Sequence, residues 1–560
     1  MSAQGQSAVA GDGIEQDDTK QSEVKVITAA SLGTMFEWFD FYLYGLLASY
    51  ISAQFFSGVN ETTAFILALA AFAAGFAIRP LGSIVFGRIG DLVGRKNTFL
   101  ITMVLMGLST FAVGLLPSYA SIGIAAPVLL VTLRLIQGLA VGGEYGGAAT
   151  YVAEHAPKGK RGFFTSFIQT TATIGLFAAL LLVIGLRAWL GEEAFAAWGW
   201  RIPFLLSIFL LAVSLWIRLQ LAESPVFQKM KDEGKTSKAP LTEAFGRWGN
   251  LKIVLIALFG AVAGQGVIGY TAQFYTLFYL ERIADVDPAT SNVLLVTALI
   301  LATPTFVFFG WLSDRIGRKK IVMTACILAV LTLFPLFKAL THAANPDLAA
   351  AVASAPVTVA AHDDECSFQF DPIGKNTFDT TSCDIAKTYL ARNGVNYDNV
   401  EIPAGGTAEI RIGQTTIVAP DPNAVPEAGL AQAIAGFHAR VGAELAAAGY
   451  SKEADPDKVN RPMVVLILFA IMLLATAAYA PLAAMLVELF PSRIRYTSMS
   501  LPYHIGNGWF GGFLPTTAFA MVAATGDIYY GLWYPVLVCA MTVVIGILFL
   551  PETFRRSIDD

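Results

Sequence analysis

Two similar ten-residue stretches decide the fold: GRIGDLVGRK at residues 87–96 and GWLSDRIGRK at residues 310–319. They share the pattern G-x-x-x-D-x-x-G-R-K, and their aspartates, Asp91 and Asp314, are 223 positions apart. A second pair, AEHAPKGKRG from residue 153 and VELFPSRIRY from residue 487, is 334 positions apart. Internal repeats of this kind are typical of membrane transporters built from two similar halves. The larger second offset places about 111 extra residues within the second half.

The composition indicates a membrane protein rather than a soluble one. Hydrophobic residues make up 55% of the 560 residues and charged residues only 14%, whereas soluble domains average about 25% charged residues. The mean hydropathy is +0.60. No basic stretch of the kind that binds nucleic acid is present in the sequence.

Hydrophobic runs long enough to cross a bilayer, about 20 residues each, occur twelve times. We place them at 26–53, 62–86, 98–117, 125–150, 163–187, 198–221, 251–280, 290–312, 321–340, 461–487, 497–523 and 530–550. The predicted fold is therefore an all-α polytopic membrane protein with twelve transmembrane helices in two six-helix bundles. No signal peptide precedes the first run.

Lysine and arginine in the short loops set the predicted orientation. They gather after every even-numbered span, and such loops favour the cytoplasm. Both termini are then cytoplasmic, in a cell (inner) membrane. The predicted domains are a disordered cytoplasmic tail (1–25), an N-terminal bundle (26–221), a central cytoplasmic loop (222–250), C-terminal helices 7–9 (251–340), an extracytoplasmic insertion (341–460), helices 10–12 (461–550) and a second cytoplasmic tail (551–560).

The insertion is predicted to be a small α+β domain. It holds 16 acidic and 7 basic residues. VEIPAGGTAEIRIGQTTIV, from residue 400, alternates as a strand pair that turns around Gly405 and Gly406. An alanine-rich helix follows. Cys366 and Cys383 lie in the insertion, and an oxidising exterior permits a disulfide between them. The role of the insertion stays open.

These stretches resemble a known family. The doubled loop resembles the signature of the major facilitator superfamily. Other stretches resemble its metabolite–proton symporter branch: EWFDFYLYG at Glu37, RPLG at Arg79, RLIQG at Arg134, GGEYGGA at Gly142, WGWRIPF at Trp198, ESPVF at Glu223, ELFPSRIRY at Glu488 and PET at Pro551. One departure is Leu92, where the family loop often has a basic residue. The resemblance implies proton-coupled uptake, with the proton as coupling ion and no other cofactor.

Two acids in the first span are candidates for proton coupling. Glu37 and Asp40 lie about 11 and 14 residues into the first hydrophobic run, which places them near mid-membrane. Because they are three residues apart they share one helix face, which Tyr44 extends. A buried acid costs about 2.5–3.5 kcal/mol on insertion scales, so it faces a cavity or a partner charge. The alternative is a fixed salt bridge between helices, and the sequence does not decide which acid carries the proton.

Arginines and amides in the spans are candidates for substrate binding. Arg134, with Gln137 one turn on, is the leading contact for an acidic substrate group, because guanidinium binds carboxylate through two parallel hydrogen bonds. The alternative is that Arg134 neutralises Glu37 or Asp40. The further candidates are Arg79, Tyr44, Gln169, Gln265, Tyr270, His504 and Asn507. For most of these, interhelical hydrogen bonding is the competing interpretation.

The repeated loops are predicted to form a cytoplasmic gate. Asp91 and Asp314 are expected to accept hydrogen bonds from a helix N-terminus of the facing half, where positive partial charge gathers. The other gate residues are Gly87, Gly94, Arg95, Lys96, Gly310, Gly317, Arg318 and Lys319. The alternative is a topology signal made only of positive charge.

The sequence favours a proton-driven importer that works by alternating access. The expected cargo is a small organic acid such as a di- or tricarboxylate. The alternatives are a zwitterionic osmolyte of the proline or betaine type and, from another class, a membrane nutrient receptor that uses the outer insertion. No enzyme or metal-binding motif is found in a fitting context. The expected partners are a small molecule and the lipid bilayer, and a monomer is expected.

Overall fold

Each copy of the repeated loop lies at the junction of two consecutive helices. Gly94 ends α2 (Arg79–Val93) and precedes α3 (Arg95–Leu115), and Gly317 lies in the same way between α8 (Pro288–Ile316) and α9 (Arg318–Ala344). Their φ angles are 127° and 111°, values that glycine adopts far more readily than other residues. These glycines therefore allow the chain to reverse between two long helices within one residue.

The structure, a computed structural model, describes residues 34–36, 38–40, 42–57, 71, 74–219, 223–367, 378–393, 395–450 and 454–558. Within these ranges, nine helices are long and apolar enough to cross a membrane. They are α3, α4 (Ala125–His155), α5 (Arg161–Leu190), α6 (Arg201–Leu219), α7 (Trp248–Arg282), α8, α9, α13 (Arg461–Leu489) and α16 (Tyr530–Phe549). Each corresponds to one predicted span, with ends that differ by a few residues.

The other three predicted spans coincide with shorter or interrupted helices. The first is described in part, with helical residues at 42–46 and in α1 (Ala48–Phe55). The second overlaps α2 over residues 79–86. The eleventh is divided into α14 (Arg495–His504), a π-helical turn (Ile505–Gly511) and α15 (Leu514–Thr525).

Short elements complete the helical part of the chain. Four short helices lie in connections, at Tyr119–Ile122, Glu192–Ala194, Pro225–Asp232 and Pro240–Phe245. Other π-helical turns lie at Phe195–Gly199, Leu258–Val262 and Thr271–Tyr275, and 3-10 turns at Asp363–Glu365, Ser492–Ile494 and Tyr530–Leu532. Two of the π turns lie within α7.

The helices pack in two groups that meet along two helix pairs. In the first group α4 packs against α2 and α3, and α3 packs against α6. In the second group α13 packs against α8 and α9, and α9 packs against α16. The groups meet where α2 contacts α14 and where α5 contacts α8. These two contacts involve the helices that carry the repeated stretches.

Between α9 and α13 the chain forms a four-stranded sheet with helices. The elements are α10 (Pro346–Ser354), β1 (Val357–Ala361), α11 (Ser382–Arg392), β2 (Asp398–Glu401), β3 (Glu409–Ile412), β4 (Thr415–Val418) and α12 (Glu427–Ala447). The strand order is β2-β1-β3-β4, with β2 parallel to β1 and the other pairs antiparallel. Apolar residues of α10, α11, α12 and the sheet form its core.

The hairpin in this region differs from the predicted one. The sequence predicts a turn around Gly405 and Gly406, but β2 and β3 are separated in the sheet by β1. The hairpin is β3–β4, which turns at Gly413 with a φ of 56°. Alternation along the strands identifies them but does not specify which strands pair, because β1 lies earlier in the chain. A disulfide joins Cys366 and Cys383, as expected.

Candidate functional site

A central cavity of about 70 Å³ lies between the two groups of helices. Helices α2, α4 and α5 line it from one side, and α7, α8, α13 and α14 line it from the other. Five of the predicted substrate-binding residues are among its lining residues: Arg79, Gln169, Gln265, His504 and Asn507. Tyr270, also a candidate, lines it too. The cavity is smaller than the 300–1,000 Å³ of typical ligand pockets, so a metabolite requires some opening of the two groups.

Local backbone irregularity brings polar groups to this cavity. Asn507 lies in the π-helical turn that interrupts α14 and α15, and Gln273 and Phe274 lie in a π turn of α7. π turns inside helices occur frequently at functional sites. Gln169 donates a 2.9 Å hydrogen bond to the hydroxyl of Tyr145, so this amide is fixed within its own half.

Aromatic side chains dominate the described lining of the cavity. The rings are Trp38, Tyr42, Tyr145, Tyr270, Phe274, Phe306, Tyr479 and Tyr503. Tyr145 stacks on Tyr503 across the two groups, with ring centroids 3.4 Å apart, and the hydroxyls of Tyr479 and Tyr503 are hydrogen-bonded. Among the described lining residues, Arg79 is the one permanent charge. Except for Tyr270, we did not predict these aromatic residues, because aromatic residues are common in any membrane helix.

Three predicted substrate-binding residues lie elsewhere. Arg134 donates a 2.6 Å hydrogen bond to Gln137, and its guanidinium lies 4.2 Å from the ring centroid of Tyr44. Gln137 in turn donates to Thr110, at 2.9 Å. The cluster is buried inside the first group of helices, and none of its members lines the central cavity. The i, i+3 spacing that we interpreted as a shared ligand site instead joins Arg134 to Gln137.

The proton-coupling candidates also lie in this group. Glu37 lies outside the described residues. Asp40 is buried, and its carboxyl group lies beside the side chain of Thr110. It lines a second cavity, of about 20 Å³, together with Glu144 of α4. Glu144 is itself buried and lies 3.4 Å from Arg218. The sequence analysis names Glu144 only as part of the GGEYGGA stretch. A carboxylate within a membrane helix indicates a functional residue, and this argument applies to Glu144 as it does to Asp40.

The two aspartates of the repeats each bind the start of a helix in the facing group. Asp91 accepts from the backbone N–H of Tyr496 at 3.3 Å and of Thr497 at 2.9 Å. Asp314 accepts from the N–H of Gly162 and of Phe163, both at 2.8 Å. These amides belong to the first turns of α14 and α5, whose N–H groups have no partner within their own helix. We call the contact of Asp91 the first interlock and that of Asp314 the second interlock.

Glycines of the repeats allow these close approaches. A Cβ at Gly87 would lie 2.9 Å from the Cα of Thr497, and a Cβ at Gly310 would lie 2.5 Å from the Cβ of Ser166. Both glycines were predicted as gate residues. The helices at each interlock are therefore closer than any larger residue would permit.

The remaining gate residues support the interlocks. Arg95 lies 3.2 Å from Asp91 and donates to the carbonyl of Ser492 at 2.6 Å. Arg318 contacts Asp314 at 2.7 Å and Glu488 at 3.0 Å. Lys96 and Lys319 donate to the carbonyls that end α6 and α16 respectively, Leu219 at 3.1 Å and Leu550 at 2.8 Å.

Two acids after the spans satisfy the starts of α3 and α9. Glu223 accepts from the N–H of Arg95 at 3.2 Å, and Glu552 accepts from the N–H of Arg318 at 2.8 Å. Sequence reasoning used these acids only to recognise the ESPVF and PET stretches. Their matching positions after α6 and α16 extend the repeat to the ends of both halves.

The inserted region is attached to the second group of helices. The Tyr397 N–H donates to Gly526 at 3.1 Å, and Asn399 donates to Thr525 at 2.9 Å. Lys458 bonds Asp347 at 2.7 Å, and this contact raises the pKa of Lys458. Burial raises the pKa of Tyr450, which donates to the Ala355 carbonyl, to about 12. The bonds of Tyr397 and Asn399 thus join the region to the end of α15, whereas the bonds of Lys458 and Tyr450 lie within the region itself.

Comparison with known proteins identifies the family. The family model described as "Sugar (and other) transporter" matches residues 25–250 and 429–560, and "MFS/sugar transport protein" matches residues 147–361. The first covers more than half of the chain.

Curated relatives are similar to this chain over part of its length. A "Putative proline/betaine transporter" of Staphylococcus haemolyticus is 38% identical over 54% of this chain and 64% of its own length. The shikimate transporter of Escherichia coli is 37% identical over 55% of this chain and 70% of its own length. The match thus spans just under two thirds of the staphylococcal protein. A "Putative metabolite transport protein" of Haemophilus influenzae is 37% identical, with 74% of its length covered.

A solved structure has the same fold. The proton:xylose symporter XylE bound to 6-bromo-6-deoxy-D-glucose aligns over 97% of this chain and 98% of its own, with a TM-score of 0.64 and 13% identity. An inward-open XylE structure from E. coli aligns with a TM-score of 0.51. The helices, the doubled interlocks and the family match all indicate the same family. The chain belongs to the sugar (and other) transporters of the major facilitator superfamily, a family of multi-pass membrane transporters and not of enzymes.

Proposed function

We propose that this protein is a proton-coupled importer of a small metabolite that carries one carboxylate. Two six-helix bundles, with twelve spans in total, rock about the central cavity by alternating access. The observation that carries the proposal is the cavity lined by both bundles together with the two interlocks at one end of it. Such an arrangement separates a binding site from one side of the membrane while leaving the other side free to open.

The interlocked side is the cytoplasmic side in this proposal. The helix ends that carry Arg95, Lys96, Arg318 and Lys319 lie there, and positively charged loops favour the cytoplasm. The inserted region then lies outside, attached to the C-terminal bundle, and both termini lie inside. We also propose that the protein is a monomer.

Arg79 is the proposed contact for the substrate carboxylate. It lies on α2 at the central cavity, next to the ring of Phe76, with a guanidinium–centroid distance of 4.4 Å. A di- or tricarboxylate, as expected from the sequence, needs further cations, and no second lysine or arginine is among the described lining residues. The cavity therefore favours a single carboxylate.

The aromatic lining supports a zwitterionic osmolyte as the leading substrate class. Aromatic rings attract a quaternary ammonium group over their faces, and eight rings line the cavity. Relatives named for proline and betaine are compatible with this class. A cyclic monocarboxylate is the second candidate, because its ring can pack against the aromatic side chains that line the cavity and a relative is named for shikimate.

Asp40 is the proposed proton carrier, with Glu37 retained as a candidate. Asp40 lies inside the N-terminal bundle and is linked through Thr110 and Gln137 to Arg134. Protonation of Asp40 weakens its interaction with this network. The network connects the first span with α3 and α4, so a change at Asp40 is transmitted to α4, which lines the central cavity.

Reconstituted protein tests the proposal. Proteoliposomes with an imposed pH gradient, acidic outside, are supplied with glycine betaine, proline, shikimate, succinate or citrate, with and without a protonophore. Accumulation of betaine or proline that the protonophore abolishes is expected, and Arg79→Gln should raise the KM by about 10-fold or more because it removes a charge-assisted bond. Binding without accumulation would indicate a receptor, and accumulation of citrate in preference to the others would contradict the single-carboxylate site.

A further inference from the structure

Asp40 and Glu144 share a small cavity inside the N-terminal bundle. Its other walls are mainly methionine and leucine side chains of α3 and α6, with the hydroxyl of Ser214. Methionine and leucine side chains neither bind nor release protons. The two carboxyl groups are therefore the proton-exchanging groups that the described walls of this cavity present.

Arginines lie at both ends of a polar chain that runs through this cavity. At one end Arg134 donates to Gln137, which donates to Thr110, and Thr110 lies beside Asp40. At the other end Glu144 contacts Arg218 through one 3.4 Å distance, longer than the 2.7–2.9 Å of close charge-assisted bonds. Arg218 lies against the ring of Phe99. Glu144 is thus in contact with an arginine, whereas Thr110 and Gln137 lie between Asp40 and Arg134.

The cavity has the size of one water molecule. Its volume is about 20 Å³, and about 10–15 Å³ is sufficient for a water with polar partners. Asp40, Glu144 and Ser214 supply such partners. A water here can accept the proton of the Asp40 carboxyl and donate one of its own to the Glu144 carboxylate. The water is regenerated, Asp40 becomes a carboxylate, and Glu144 becomes the acid.

Glu144 lies on the cytoplasmic side of the Arg134 cluster. It is ten residues further along α4 than Arg134, and with a rise of 1.5 Å per residue it is about 15 Å closer to the interlocked end. Tyr496 closes this end of α4: its hydroxyl donates to the carbonyl of Gly143, next to Glu144, and its ring lies against Gly90, Gly146 and Gly147. Separation of α14 from α2 removes this ring.

From these contacts we propose that Glu144 is the second proton carrier of the transport cycle. It receives the proton from Asp40 through the shared cavity and releases it to the cytoplasm when Tyr496 withdraws. Arg218 is a positioning residue that holds the Glu144 carboxylate after release. The inference rests on the proposed proton-coupled function and adds the route by which the proton leaves.

The experiment separates net uptake from exchange, using the full chain in proteoliposomes. With a gradient of one pH unit, one coupled proton supports about 10-fold accumulation. Glu144→Gln should reduce this ratio to about 1, while exchange of external labelled for internal unlabelled substrate stays within about twofold of wild type, because exchange needs no proton release. Glu144→Asp, which keeps a titratable group, should restore part of the accumulation.

A second variant keeps both acids and fills the cavity. Ser214→Thr adds one methyl group at the wall and should slow net uptake while exchange continues. Uphill accumulation by Glu144→Gln equal to wild type would overturn the proposal. Equal loss of accumulation and exchange in all three variants would do so as well, since that result indicates a packing role. Wild-type protein that shows no uptake driven by the pH gradient would instead refute the proposed function itself.

Discussion

The two interlocks bind equivalent backbone groups with equivalent aspartates, yet the packing around them differs. Asp91 accepts from the second and third amides of α14, and Asp314 accepts from the second and third amides of α5. The repeat offset of 334 pairs Tyr496 with Gly162. A large residue in one copy thus corresponds to glycine in the other.

The helices that carry the two aspartates, α2 and α8, differ in the opposite sense: the smaller residue is in the first copy. At the first interlock Tyr496 lies against Gly90 of α2, and the offset of 223 pairs Gly90 with Ser313 of α8. At the second interlock Gly162 lies against Ser313 and Gly310. Each interlock is therefore complementary in size, but the first is filled by an aromatic side chain and the second by nearly bare backbone.

The charges around the two interlocks also differ. Arg95 contacts one acid, Asp91, and otherwise donates to the carbonyls of Gly90 and Ser492. Arg318 contacts Asp314 and also Glu488, which Arg161 approaches at 3.6 Å. At the first interlock the ion pairs are separate, because Arg495 contacts Glu154 at 2.6 Å apart from the Arg95–Asp91 pair. At the second interlock one network of charges joins Arg318 to both acids. Two copies of one loop can thus close the same side of the protein and yet differ in their sensitivity to mutation.

The largest expected effect comes from adding a Cβ at each interlock. Gly90→Ala collides with the Tyr496 ring, and Gly310→Ala collides with Ser166 and with the carbonyl of Gly162, 2.6 Å away. Overpacking of this kind costs about 1–3 kcal/mol. Both variants should open the interlocked side, which is the cytoplasmic side in the proposed orientation. This opening is measured as faster labelling of a cysteine placed at Thr173, a residue of the central cavity, by an impermeant maleimide in inside-out vesicles.

Double variants distinguish the two interlocks. Tyr496→Ala removes every close contact at Gly90, so Gly90→Ala should add nothing in that background. Ser166→Gly leaves the Gly162 carbonyl in place, so Gly310→Ala should remain costly in that background. Additive effects at the first pair would contradict the idea that Tyr496 fills a glycine notch. Protein without the Thr173 cysteine gives the background from Cys326 and Cys539.

Neutralising the aspartates gives the next largest effect. Asp91→Asn and Asp314→Asn both weaken the bonds to a helix start, a change that costs about 0.5–2 kcal/mol. Asp91→Asn also removes the acid that contacts buried Arg95, while Arg318 keeps Glu488 after Asp314→Asn. We therefore expect maleimide labelling to rise more in Asp91→Asn. A larger increase in Asp314→Asn would show that the charge network is the weaker closure.

The sequence was sufficient to predict most of the fold and the residues of both interlocks. Hydrophobic runs identify helices because each must cover about 30 Å of hydrocarbon, and the doubled loops place Asp91 and Asp314 at equivalent helix ends. The sequence also placed Arg134 within the fourth span, which corresponds to α4. It gave no information about which way the side chain points, because rotation about the helix axis is set by packing with other helices.

Residues at the cavities were harder to predict for the same reason. Arg79 and His504 reach the central cavity, whereas Arg134 and Gln137 bond each other inside one bundle. Glu144 and Tyr496 were not predicted as functional residues. Their roles depend on contacts between helices far apart in sequence, such as α2 with α14, and a single sequence does not contain those distances.

The smallest expected effect comes from one hydroxyl group. Tyr496→Phe keeps the ring in the glycine notch and removes the bond to the Gly143 carbonyl, which links the two bundles. A hydrogen bond of this kind contributes about 0.5–1.5 kcal/mol, so cytoplasmic labelling should rise by about two- to tenfold. Ser166→Ala is the matched control at the second interlock, because its hydroxyl donates to Phe163 within its own helix. Removing that bond should leave labelling unchanged. Equal changes in the two variants would mean that the hydroxyl of Tyr496 contributes to the stability of α14 rather than to closure, and that the two interlocks differ only in the volume of the side chain that fills them.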